Sequence, residues 1–158
     1  MKVFLSHQKA DSETAGIIAT RLKLYHQIDV YLDVVDPNAS TTGDDLGEYL
    51  RQQLSICTQL MAVVSAATKT SWWVPWEIGV ATEKDYPIAT FAGGYTTLPE
   101  YLRKWPYLQS MSDVDAYAEA SKMAQREFKN RRTYQTDSLA RRSSTKDFYR
   151  VLRSSLRQ

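Results

Sequence analysis

Residues 71–81 read Ser-Trp-Trp-Val-Pro-Trp-Glu-Ile-Gly-Val-Ala, which sets one carboxylate, Glu77, among three tryptophans where a helix begins. A carboxylate enclosed by aromatic rings has its charge and water access governed by neighbours, the usual condition of an acid, a base or a stabiliser of positive charge. The same residues admit a structural reading. Pro75 suits the first turn of a helix, and a glutamate close behind it sits well near the positive end of the helix dipole. Trp73 and Trp76 can fill core or stack on a flat ligand.

The elements that must position this group follow in a regular order. MKVFLS (1–6) is a short apolar strand, after which Ala15, Ile18, Ala19, Leu22 and Tyr25 recur at helical spacing. IDVYLD (28–33) is a second strand, and a loop rich in Asp, Pro, Asn, Ser, Thr and Gly runs from Asp33 to about Gly43. Leu46, Tyr49, Leu50, Leu54 and Cys57 form one helical face, LMAVVS (60–65) a third strand, and YPIATF (86–91) a fourth. Strands alternating with amphipathic helices predict a parallel sheet covered on both faces. Phe4, Ser6 and His7 then fall towards the carboxyl end of the first strand, where open α/β sheets bind ligands. Ser6 also reads as a turn or helix cap. His7 reads as a surface residue or, with an orienting partner, as a base. Asp33, ending the second strand, can bond a ribose hydroxyl or cap its loop.

This order, with its residues, resembles the TIR domain family over roughly Met1 to Leu108. VFLSH (3–7) is similar to the family's first box, VYLD (30–33) to its second strand, and Asp36–Gly43 to the loop called BB, with Gly43 at the expected glycine. Ser65 ends the third strand as the family's serine does. Ser71, Trp73 and Glu77 match the pattern Ser-x-Trp-Cys-x-x-Glu, with Val74 where Cys is common. LPEYLRKWPYL (98–108) is similar to the segment after the fourth strand in bacterial members. The resemblance implies an α/β, flavodoxin-like three-layer sandwich with a central parallel sheet of four to five strands, followed by C-terminal helices.

It also implies one of two jobs. Some TIR domains are adaptors that recruit other TIR domains. Others cleave the nicotinamide–ribose bond of NAD+, as glycohydrolases or ADP-ribosyl cyclases, and these need the glutamate. Glu77 occupies that position, so the expectation is an NAD+ nucleosidase with Glu77 catalytic, and with Phe4, Ser6, His7, Asp33, Gly43, Trp73 and Trp76 contributing to substrate binding. NAD+ is then substrate, and no further cofactor is implied. The family further suggests self-association through the BB loop, a nucleotide product sensed by a downstream effector, and a role in antiphage defence of the Thoeris kind. A nucleoside deoxyribosyltransferase-like enzyme on a similar fold is a third reading.

Chemistry gives a reason for a single carboxylate. Loss of nicotinamide spreads positive charge over the ribose C1 and ring oxygen, as in glycoside hydrolysis, and a fixed negative charge stabilises that state above the ground state. Nicotinamide departs as a neutral pyridine, so no second acid is required. Against this, residues 33–47 carry no Lys or Arg and include Asp36, Asp44 and Asp45, which cannot clamp a pyrophosphate. Backbone amides at a helix start, or Lys9, would have to serve, unless the loop faces a neighbouring subunit. Thr42–Asp45 also reads as a capping-box-like start for the next helix.

At 158 residues the chain fits one domain with a tail, expected as 1–128 and 129–158. It has no apolar run of membrane-spanning length and no signal-peptide pattern, so a cytoplasmic location is expected. One cysteine excludes an internal disulfide, and Cys57 reads as a buried hydrophobe. There is no metal-ligand spacing and no P-loop. Residues 129–158 hold nine Lys or Arg against two Asp, +7, leaving −5 for the remainder of a chain whose net charge is +2. Val114, Tyr117, Ala118, Ser121, Gln125 and Phe128 predict a helix before this tail, capped by Ser112 or Asp113, and Phe148, Val151, Leu152 and Leu156 a short terminal one. The favoured expectation for the tail is a solvated or docking basic arm rather than a nucleic-acid or membrane binder.

Overall fold

The computed structural model describes residues 1–34, 43–93 and 98–158. Along the chain lie β1 (Lys2–His7), α1 (Ser12–His26), β2 (Asp29–Val34), α2 (Gly43–Ser55), β3 (Gln59–Val63), α3 (Trp73–Glu83), β4 (Ile88–Phe91), β5 (Tyr107–Leu108), α4 (Met111–Arg131) and α5 (Asp137–Leu156). The five strands form one sheet in the order β2-β1-β3-β4-β5, every pairing parallel. This is the flavodoxin-like three-layer α/β architecture, with the C-terminal helices present.

Helices cover both faces, so β1, β3 and β4 are buried nearly throughout. Val3, Leu5, Met61, Val63, Ala89 and Phe91 point to one side, against Ile18 and Leu22 of α1, Tyr117 of α4 and Phe148 and Leu152 of α5. Phe4, Leu60, Ala62 and Ile88 point to the other, against Leu50 and Leu54 of α2 and Val74, Ile78 and Ala81 of α3. Phe4, expected at the substrate, is therefore core, stacked on Tyr31 with ring centroids 5.2 Å apart.

Several local expectations are corrected. Tyr25 is 71% exposed, because His26 takes the next inward position of α1 and meets Asp115 of α4 at 2.7 Å. The cap of α4 is Ser110, whose hydroxyl accepts from the Asp113 amide while the Asp113 carboxylate accepts from Ser110 N–H. The expected BB loop and the Thr42–Asp45 cap fall on residues 35–42 or on side chains outside the described ones.

Residues 129–158 depart most from the expected tail. They carry the end of α4 and a 20-residue α5 that packs antiparallel to it as a helical hairpin. Ala140, Ser144, Thr145, Phe148 and Leu152 form its buried stripe. Part of the positive charge is paired: Arg131 reaches Asp147 at 2.5 Å, Arg150 the same carboxylate at 3.3 Å, and Arg142 reaches Asp85 at 3.6 Å. Gln158 pairs its side-chain amide with the backbone of Tyr107, donating at 2.6 Å and accepting at 3.1 Å, and so covers part of the edge strand β5.

Asp115 gives the fold an acid-sensitive clamp between α1 and α4. Arg21 donates to its two oxygens at 2.7 and 2.6 Å and, with His26, holds its carboxyl down to about 2, from an ordinary value of 3.8. A carboxyl depressed on folding stabilises fully above its unfolded value and loses that contribution as pH falls through the folded one. The loss therefore falls between about pH 4 and pH 2. Solvent screening of a partly exposed pair limits it to about 1 kcal/mol. Urea midpoints measured across this range should fall less steeply in Asp115→Asn than in the parent.

Cys57 lies in the turn between α2 and β3 rather than on the α2 face, and burial pushes its thiol up to about 11. Native protein at neutral pH should react with iodoacetamide about 10²-fold more slowly than the denatured chain, as mass spectrometry of the alkylated product can read.

Candidate functional site

In a sheet of this order the chain leaves β1 towards one face and β3 towards the other, so a crevice opens between their carboxyl ends. Two short helical turns border it, Lys9–Asp11 after β1 and Ala66–Thr70 after β3. Ser65 joins them. Its hydroxyl donates to the Asp11 carboxylate at 3.0 Å and accepts from the Ala67 amide at 3.2 Å, while the Thr68 hydroxyl accepts from Ser65 N–H at 3.0 Å. Asp11, buried at this bridge, is a residue the sequence reading missed. In sequence it stands beside Ser12 at a helix start, where an aspartate passes for an ordinary cap.

Helix α3 runs back from the end of β3 to the start of β4, which puts its first turns at this carboxyl edge. Ser71 caps it, accepting from the Val74 amide at 3.2 Å. Val74, Glu77, Ile78 and Ala81, at helical spacings of three and four, form the stripe that faces the sheet. Glu77 is accordingly 1% exposed and lies past the first turn, so the role of an exposed helix-start residue does not describe it.

The sheet face opposite this stripe carries hydroxyls where a packed core would carry methyls. Ser6 stands in register with Asp33 of β2 and Ala62 of β3, and Ala62 with Thr90 of β4, so these positions share one row at the carboxyl end. Ser6 and Thr90 are fully buried, and neither hydroxyl has a hydrogen-bond partner. Next to this row, His7 is 4% exposed; one ring nitrogen, Nδ1, lies 3.1 Å from the Leu5 carbonyl and the other, Nε2, is unpartnered. Native structures leave few buried polar atoms unsatisfied, each costing about 1–3 kcal/mol, and three lie at one edge here.

Those observations revise several alternatives. His7 is not a surface residue, because alternation along β1 sends it inward with Val3 and Leu5. Ser6 caps nothing. Thr90 was missed, although a hydroxyl inside the otherwise apolar central strand IATF was its signal. Trp73 packs partly on the core and meets Trp76 edge-on at 5.9 Å. Trp76 instead points outward, to a shallow groove with Arg51, Gly79 and Lys84, so the fold does not bring it to Glu77. Gly43 is the first residue of α2, and the backbone of Asp33 ends in the row beside Ser6; the side chain of Asp33 is outside the described ones.

A family model described as TIR domain matches residues 3–127. No curated protein sequence matches the chain. Among solved structures, a 3-dehydroquinate dehydratase-like protein from Bifidobacterium longum aligns at TM-score 0.50 and 12% identity, over 75% of this chain and 96% of that one. The TIR domains of the activated Roq1 resistosome, which directly recognizes the pathogen effector XopQ, align at 0.46 and 14%, over 99% and 97%. A diflavin flavoprotein A3 from Nostoc sp. aligns at 0.44 and 15%, over 99% and 97%. At these identities the first shows the fold alone.

Proposed function

This chain belongs to the TIR domain family, and from that premise we propose that it cleaves the nicotinamide–ribose bond of NAD+ with Glu77 as the catalytic carboxylate. The observation that carries the reading is the burial of Glu77 on the α3 stripe that faces the unsatisfied hydroxyls of Ser6 and Thr90. A negative charge held out of water interacts strongly with positive charge developing at the ribose C1. The hydroxyls of Ser6 and Thr90 supply donors and acceptors for the ribose, and the free nitrogen of His7 a further polar contact at the same edge. Nicotinamide leaves neutral. Water at C1 then yields ADP-ribose; a hydroxyl or ring nitrogen of the same molecule yields a cyclic product.

By analogy with the family, the active form is an assembly in which the BB loop of one subunit completes the site of the next, and the product is a cytoplasmic signal for a separate effector in antiphage defence. Among the described residues no helix is long and apolar enough to cross a membrane.

The test is chromatography and mass spectrometry of NAD+ incubated with the protein over a range of concentrations, beside Glu77→Gln. Nicotinamide release that needs Glu77, with specific activity rising with protein concentration, supports the reading. Intact NAD+ at high concentration and under crowding transfers support to the adaptor reading, for which Trp72, 89% exposed at the start of α3, offers a contact residue.

A further inference from the structure

A second polar anomaly lies at the opposite end of the sheet. There the starts of β1 and β3, the residue before β4, and the α4–α5 hairpin line a half-open cavity of about 260 Å³. Part of its wall is apolar, from Met1, Pro87, Ala124 and Phe128, and three cations, Lys129, Arg132 and Arg141, line the remainder with polar side chains. Arg132 is neutralised by Asp137 at 2.8 Å. Lys129 and Arg141 form no ion pair among the described residues. Arg141 lies over the ring of Phe128 at 5.1 Å and that of Tyr86 at 5.6 Å, contacts that fix its guanidinium on an aromatic bed without spending its hydrogen-bond donors on a carboxylate. Ser144 lines the same cavity; it is 4% exposed and its hydroxyl has no partner.

We propose that this cavity binds a small organic phosphate, its flat or apolar body against Phe128, Pro87 and Ala124 and its phosphate on Arg141, Lys129 and the Ser144 hydroxyl. Two unpaired cations match the charge of a phosphate monoester near neutral pH, and a preorganised guanidinium suits its oxygens. An apolar wall beside the cations, in a half-open pocket of this size, suits the body of a small molecule, which separates this site from general attraction of nucleic acid to the basic segment 129–158. The site is independent of Glu77, from which the length of the sheet divides it.

Calorimetric titration of the full chain with phenyl phosphate tests the assignment, with inorganic phosphate, phenol and a short single-stranded oligonucleotide as comparisons. Saturable one-site binding of phenyl phosphate is expected, at least tenfold tighter than inorganic phosphate or phenol, retained in Glu77→Gln and weakened at least tenfold in Arg141→Gln and Lys129→Gln. Lys129 is exposed, so its variant keeps the fold even if loss of the Arg141 stack loosens the hairpin. Ser144→Ala should weaken binding severalfold. Absence of saturable binding, affinity unchanged in Lys129→Gln and Arg141→Gln, equal affinity for inorganic phosphate, or tighter binding of the oligonucleotide would each overturn it. Loss of binding in Glu77→Gln alone would move the ligand to the other edge of the sheet.

Discussion

Glu77→Gln should release nicotinamide from NAD+ at a rate lower by roughly 10²–10³-fold, the scale of losing one preorganised electrostatic contact to a transition state. The charge acts when positive charge develops at C1, so the loss should appear in kcat with KM little changed. Glutamine keeps the length and shape of the buried side chain beside Val74 and Ile78, so circular dichroism should report an unaltered fold. Glu77→Asp keeps the charge and withdraws it by one methylene. A displacement of about 1 Å from the reacting atoms can cost about 10²-fold, so this variant should also be strongly impaired. A glutamate that merely packs α3 on the sheet would give the reverse pattern, with stability lost and any turnover by the surviving fold retained.

Phe148→Ala should destabilise the protein by about 3–5 kcal/mol, the range for removing a fully buried aromatic. Its ring meets Tyr117 edge-on at 5.6 Å and Tyr149 at 5.4 Å, and it belongs to the cluster that includes Val3 and Leu5 of β1. The replacement opens a void where α4, α5 and the sheet converge. The expected readout is a lower urea midpoint with little change in slope. Truncation at residue 128 should be worse, since it removes all of α5 and the last turn of α4 and bares that face of the sheet. A soluble, folded 1–128 fragment would show that the hairpin is an appendage.

The strands were legible because their apolar runs alternate with helical spacing, and the parallel sheet follows from that alternation. Helix α5 was legible only at its C-terminal end. Its buried stripe includes Ala140, Ser144 and Thr145, small or polar residues that fit a close helix crossing and look like solvent-facing positions in sequence. Tyr117 and Ser121 show a related effect. Both donate to the buried Gln59 side-chain oxygen at 2.7 Å, so polar groups on the inward face of α4 are satisfied by a residue 58 and 62 positions away. Glu77 stood out from its motif and its tryptophan neighbours, while the 74, 77, 78, 81 stripe that buries it is seen in the packed helix. Thr90 left only the signal of a hydroxyl in an apolar strand, and its place beside Ser6 comes from strand register; Asp11 left none, because its bond to Ser65 joins two loops that only tertiary pairing brings together.

The way α5 closes over β1 also bears on how the chain is made. Val3 and Leu5 share a cluster with Phe148 and Leu152, which a ribosome delivers last among the residues of that core. Parallel pairing already makes such a sheet slow to form, because each strand must wait for a crossover and for a partner distant in sequence. During synthesis the side of this core that Phe148 and Leu152 fill therefore remains incomplete until α5 has left the exit tunnel, an interval of several seconds at about 5–20 residues per second. Nascent chains stalled before α5 emerges should bind holdase chaperones strongly and lose that affinity once it is released.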